Sequence, residues 1–177
     1  LMDIHFVHEA MENDLVRAFL RKVEMEEVLP VVPPVPNTSL EDYFALIERR
    51  FANPKIGDTV RRLCLDGSNR QPKFIVPTIA DNLVRGRNVS GLALESALWA
   101  RYCFGETDSG AIIEPNDPNW GRLQAQARKA KADPLAWLSM IDIYGDVGAS
   151  PVFRAAFADE LRNRRGRDVA IARRHHL

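Results

Sequence analysis

Apolar residues recur along this chain at helical spacing, and no convincing stretch alternates as a half-buried strand would. Val7, Met11, Leu15, Ala18, Phe19, Val23 and Val28 fall mostly three to five residues apart, with Glu12, Arg17, Arg21 and Glu24 on the other face. That spacing predicts an amphipathic helix over 6–29, with Asn13-Asp14 as a candidate break and Asp14 near a new N-terminus. Pro30 ends the helix, and Pro33, Pro34 and Pro36 hold the next stretch extended, as a stiff strap rather than a flexible linker. Ser39 opens a capping pattern with Asp42 in place of the usual Glu, and the helix behind it carries Tyr43, Phe44, Leu46, Ile47 and Phe51. Asn53-Pro54 breaks that helix. A further helix is predicted from Gly57 or Asp58 to Leu65, followed by a turn at Asp66-Gly67-Ser68-Asn69.

After Pro72, another apolar stripe runs through Phe74, Ile75, Ile79, Leu83 and Val84 and stops at Gly86. Residues 92–104 are rich in Ala and Leu, with Trp99 and Tyr102, and Gly105 is a credible helix stop. A polar loop over 105–118 leads to a helix over 119–131. Asp133-Pro134 and Ser150-Pro151 each set an N-cap before a proline at the first helical position, opening helices over 135–143 and 152–162. About eight helices without a strand or an internal repeat make the fold all-α, a single domain over 1–177. The chain begins almost inside its first helix, which suggests a piece of a longer protein.

Composition removes several function classes. At 177 residues the chain is long enough for one substantial core, and 46% apolar and 27% charged residues are ordinary for a globular domain. Lys+Arg and Asp+Glu balance at 24 each, so no overall field favours nucleic acid or an anionic membrane. The tail from Arg162 to His176 is basic, but Asp159, Glu160 and Asp168 are interleaved, as on a solvated helix. No apolar run approaches the roughly 20 residues of a membrane span, and the sequence contains no secretory h-region. Cys64 and Cys103 lie in apolar helical patterns without metal-ligand spacing and read as small buried hydrophobes of a reduced, cytoplasmic protein.

The common chemical motifs are missing. No glycine-rich phosphate loop of the GxGxxG or GxxxxGK[ST] kind occurs, and no serine sits in a GxSxG elbow. His5-Phe6-Val7-His8-Glu9 lacks the HExxH order that places two zinc-binding histidines on one helical face, so a packing or surface role is expected and no metal. His175-His176 read as solvated, and Glu26-Glu27 and Glu41-Asp42 as charged helix faces. One segment stands apart: Arg61, Arg62, Arg70 and Lys73 flank a tight turn that Asp66, Ser68 and Asn69 can tie through side-chain to backbone bonds. Four cations so close repel one another unless carboxylates or a ligand offset them. Either Asp58 and Asp66 partner the arginines on an exposed turn, or the cluster offers donors to a polyhydroxylated or acidic ligand.

These residues also carry a family resemblance. Tyr43-Phe44, then Ile47-Glu48-Arg49-Arg50-Phe51-Ala52-Asn53-Pro54, Ile56-Gly57-Asp58-Thr59 and Arg62-Leu63-Cys64-Leu65-Asp66-Gly67-Ser68, followed by Pro72-Lys73-Phe74-Ile75 and Pro77, resemble the C-terminal domain of the mannitol dehydrogenase family. Val7-His8-Glu9-Ala10-Met11 and Met25-Glu26-Glu27-Val28 upstream fit as well. So do Trp99-Ala100-Arg101-Tyr102, Asp133-Pro134 and Ile143-Tyr144-Gly145-Asp146 downstream. That group of long-chain polyol dehydrogenases includes fructuronate reductases and arabinitol dehydrogenases. The resemblance implies a multi-helical bundle like the C-terminal domain of the 6-phosphogluconate dehydrogenase-like superfamily. It implies a preceding Rossmann domain that binds NAD or NADP, and a zinc-independent reaction interconverting an alcohol and a ketone, as in mannitol to fructose. The family's catalytic lysine and Asn-x-x-His motif would lie upstream of Leu1, so this chain holds no catalytic or cofactor-binding residue and is expected to be inactive alone. His5 and His8 follow no such asparagine. On the substrate side, Arg62 matches the arginine before the Asp-Gly-Ser turn and Arg70 the basic residue after it; Lys73 ranks below them and Asn53 lower still. A polyol or sugar acid is then the ligand and a monomer the expected state. The rivals are a fructuronate reductase-type domain, or a helical module that binds protein or nucleic acid.

Overall fold

The structure, a computed structural model, describes residues 4–163; most of the basic tail, with His175 and His176, lies outside the described residues. The break at Asn13 is real. Its side-chain oxygen accepts from Leu15 N and Val16 N at 3.0 and 3.2 Å, ending α1 (Val7–Glu12) and opening α2 (Asp14–Val23). A π turn over Glu24–Val28 and a 3-10 turn over Leu29–Val31 carry α2 up to the proline strap. Ser39 caps α3 (Leu40–Phe51) by accepting from Asp42 N at 3.1 Å, as its spacing predicts.

The next stretch departs from expectation. In place of a helix from Gly57 or Asp58 to Leu65, α4 is the single turn Val60–Leu63, capped by Thr59. The expected four-residue turn collapses onto Asp66, whose φ of 61° lies in the left-handed region that Asp tolerates. Helix resumes at once as α5 (Gly67–Arg70), passes through a π turn at Gln71–Ile75 and continues as α6 (Val76–Val84). Pro72 therefore does not start this helix; the π turn absorbs it. A proline has no N–H to donate and its ring crowds the preceding turn, and a widened turn relieves both demands.

At the centre lies α7 (Ser90–Tyr102), with Leu92, Ala93, Leu94, Ser96, Ala97 and Ala100 all buried. α11 (Pro151–Asn163) packs along it, contributing Phe153, Phe157 and Leu161, each fully buried. α8 (Trp120–Ala132) and the short α9 (Leu135–Leu138) and α10 (Ile141–Tyr144) complete this core, so the single helix predicted over 135–143 is two. Trp137 Nε1 donates to Tyr144 Oη at 2.9 Å, which satisfies the two largest buried polar aromatics at once. Among the described residues there is no strand, only two isolated bridges.

One carboxylate misleads when read from sequence alone. Glu27, expected on a solvated face, is 2% exposed. It accepts from Gly91 N and Leu92 N at 2.7 and 2.9 Å, capping an α7 that has no side-chain cap of its own.

Candidate functional site

The chain's first described residues meet the segment before α4. Val7 N donates to Asp58 O and Val60 N to His5 O, both at 2.9 Å, in an antiparallel pairing of Phe6 with Thr59. This lays α1 beside α4, and α3 forms the facing wall. Between them opens a groove of about 370 Å³, lined by Val7 and His8, by Tyr43, Ile47, Arg50 and Phe51, and by Asn53, Ile56, Asp58 and Arg62. His8 is half-buried and stacks on Phe6, with ring centroids 5.4 Å apart.

Of the four clustered cations, Arg62 is the one that the fold brings into this groove. Its Nε and Nη2 donate to Oδ1 and Oδ2 of Asp58, a two-pronged pair of the kind a planar guanidinium favours. Asp58 is itself anchored, with Oδ1 accepting from Thr59 N at 2.9 Å. The hydrogen bond from Arg62, then its charge, hold the Asp58 carboxyl below the usual range despite partial desolvation, and Asp58 raises the Arg62 guanidinium in return.

The other cations of the cluster lie elsewhere. Arg61 donates to the carbonyls of Glu114 and Pro115 at 2.9 and 3.0 Å, stapling the 105–118 loop to α4. Arg70 Nη1 turns back to Leu63 O at 3.2 Å, satisfying an end carbonyl of α4. Lys73 is exposed on the π turn, and its ammonium group makes no hydrogen bond or ion pair among the described residues. Arg70 and Lys73 thus stand outside the groove lining. Asn53 lines it while capping the turn Pro54–Ile56 through Lys55 N.

The turn that joins the two arginine-bearing helices is held from three sides. Asp66 accepts from Asn69 Nδ2 at 2.7 Å. Ser68, 7% exposed, donates its N–H and hydroxyl to the two carboxylate oxygens of Asp117 at 2.7 and 2.8 Å. Gly67 lies so close to Trp99 that an added Cβ would fall 2.5 Å from Nε1, so any side chain there would have to displace the indole ring. Behind the π turn, Gln71 Nε2 donates to Glu95 Oε1 at 2.7 Å, and burial pushes the Glu95 carboxyl up to about 7. Gln71 Oε1 has no partner, so this inner cluster is short of a donor.

His8, Tyr43 and Arg50 join the groove without having been singled out for it, because contacts between residues distant in sequence place them there: the Phe6–Thr59 pairing and the packing of α1 on α3. Cys103 is fully buried and Cys64 half-buried; burial raises both thiols, as befits unreactive side chains. Among the described residues no group of three potential metal ligands occurs, and no helix is long and apolar enough to cross a membrane. Nor do these residues include a strand leading into a glycine loop and helix, the arrangement that would fit a dinucleotide.

Fold and groove together define a class. The helical bundle superposes on a D-sorbitol dehydrogenase solved in substrate-free form with a TM-score of 0.80 at 21% identity, a likeness of fold alone, over 92% of this chain and 34% of that one. It superposes on Pseudomonas fluorescens mannitol 2-dehydrogenase, solved as a ternary complex with NAD and D-mannitol, with a TM-score of 0.87 at 34% identity, over 92% and 33% of the two chains. The particular family follows from sequence. Residues 1–164 match the mannitol dehydrogenase C-terminal domain, and the chain belongs to that family. Mannitol 2-dehydrogenase of Cereibacter sphaeroides is 62% identical over 161 residues, which make up 91% of this chain and 34% of that protein. The enzyme of Neosartorya fischeri is 38% identical over 146 residues, 82% of this chain and 29% of its own. The chain thus spans about a third of the length of these relatives.

Proposed function

We propose that this chain is the substrate-side domain of a longer, zinc-independent NAD(P)-dependent polyol dehydrogenase that interconverts mannitol and fructose. Family membership supports the activity, and the Asp58–Arg62 pair in the groove is the observation that carries the site. In this reading the nicotinamide cofactor, held by a preceding domain outside this chain, takes up the hydride of the carbinol carbon. The proton-transferring base also lies outside, so the 177-residue chain is inactive alone.

What these residues contribute is position. A guanidinium has five N–H donors in one plane, and Asp58 occupies two of them. Three remain for substrate oxygens, enough to fix the rotation of a flexible hydroxylated chain. Holding the reacting carbon in register with the nicotinamide removes orientational entropy from the barrier. Arg70 and Lys73, exposed on the same segment but outside the groove lining, rank below Arg62 as substrate donors.

Arg62→Ala, made in the longer protein, tests this role. A bond from a charged donor is worth about 1.5–3 kcal/mol, so kcat/KM for mannitol is expected to fall roughly 10- to 100-fold with the melting temperature little changed. Wild-type kinetics in that variant would return Arg62 to a purely structural pair with Asp58.

A further inference from the structure

We infer that Asp58 sets the preference of this groove for uncharged polyols over carboxylate-bearing counterparts, by spending the charge of Arg62 while leaving its outer donors free. The inference rests on the reading above, that Arg62 meets the substrate. Asp58 takes the side of the guanidinium formed by Nε and Nη2, leaving both N–H groups of Nη1 and one of Nη2. The carboxylate cannot easily swing away. Its side chain is 15% exposed against 60% for Arg62, Oδ1 holds Thr59 N, and its own carbonyl takes Val7 N in the pairing that builds the groove.

An acceptor arriving at Arg62 finds directional donors with little net charge behind them. A hydroxyl oxygen is neutral and loses nothing by that. A carboxylate meets a cation already neutralised and a second carboxylate beside it, a like-charge contact that discriminates against the wrong ligand. Arg50 on the α3 wall shows why Asp58 matters. No anion partners Arg50 among the described residues, so the lining keeps one positive charge beside the neutralised pair; without the Asp58 charge it would present two, enough to hold a substrate carboxylate.

Fructose and fructuronate share the reacting ketone and differ at one terminal carbon, hydroxymethyl in the first and carboxylate in the second. The test is the ratio of their kcat/KM values for reduction by the longer protein. Asp58→Asn keeps an oxygen for Thr59 N and removes the charge. It is expected to move the fructuronate-to-fructose ratio upward by about tenfold or more. Asp58→Glu, which keeps the charge, is expected to hold the ratio near that of the unaltered protein.

The failures are distinguishable. A ratio unmoved in Asp58→Asn, while Arg62→Ala still weakens both substrates, overturns the inference and leaves the proposed function standing. So does an equal shift in Asp58→Glu. Unaltered kinetics in Arg62→Ala remove the proposed role of Arg62, and this inference with it.

Discussion

Replacing Asp117 by alanine removes the acceptor that holds the turn between the two arginine-bearing helices. Three bonds to this carboxylate are lost: Ser68 N at 2.7 Å, Ser68 Oγ at 2.8 Å and Asn119 N at 2.8 Å. The Asn119 amide is exposed and water replaces its partner, so it adds little. Ser68 is buried, and its N–H would stay unsatisfied under the Trp99 ring that covers Gly67. Bonds to an ionised group contribute about 1.5–3 kcal/mol each, and the half-buried state of Asp117 argues for the low end, so the two Ser68 bonds together are worth about 3 kcal/mol. For a chain of this size 1 kcal/mol moves the melting temperature by about 2–4 °C, so Asp117→Ala should lower it by about 6–12 °C. Asp117→Asn can serve only one of the two Ser68 donors, because its amide nitrogen would face the other, and should lose about half as much. Urea unfolding of the 177-residue chain, followed by circular dichroism, reads both variants against the unaltered protein. Losses below 1 kcal/mol in both, or an asparagine variant worse than the alanine one, would refute the account of the turn as a carboxylate latch.

Two further perturbations probe the scaffold behind the site. Glu95 has a folded value of about 7 against an ordinary 4.5, so between these values the folded chain holds a proton that the unfolded chain has released, and stability falls as pH rises through that window. A carboxyl moved that far is worth at most about 3 kcal/mol, which partial exposure of the side chain reduces to about 1 kcal/mol. Glu95→Gln should then melt about 2–4 °C higher at pH 8 and show no gain at pH 4; an equal gain at both would exclude the ionisation as its cause. Gly67→Ala forces a methyl to within 2.5 Å of Trp99 Nε1, and Trp99 is backed edge-on by Trp137 at 4.9 Å. Overpacking of this kind costs about 1–3 kcal/mol, and an unchanged melting temperature would mean that Trp99 gives way freely.

Helix ends were legible wherever one residue carried the signal. Ser39, Asp133 and Ser150 cap the helices that their spacing announces, through bonds to Asp42, Leu135 and Phe153 amides. Legibility failed where distant residues decide. Asp66-Gly67-Ser68-Asn69 has the composition of a turn, yet only Asp66 turns, because Asp117 and Trp99 hold Gly67 and Ser68 in the first turn of a helix. Glu27 has the look of half an acidic surface pair, and nothing local reveals that the unsatisfied amides of α7 lie above it. The groove escaped for the same reason, since α1 meets α4 through the pairing of Phe6 with Thr59 and packs directly on α3, contacts between residues far apart in sequence.

The cation cluster shows how a sequence signal can be right about place and misleading about kind. Four positive charges around one turn suggest a field that would draw any anion. The fold dissolves that field by giving each cation a different end. Arg61 and Arg70 are spent on backbone carbonyls, Arg62 on Asp58, and Lys73 stands in solvent. Of the four, only Arg62 meets a carboxylate; the others are held apart by their separate partners and by solvent. What survives at the groove is geometry: three oriented N–H groups on a guanidinium whose charge is already answered. Oriented neutral donors select by the positions of hydroxyls and not by charge, and that is the discrimination a site for polyols requires.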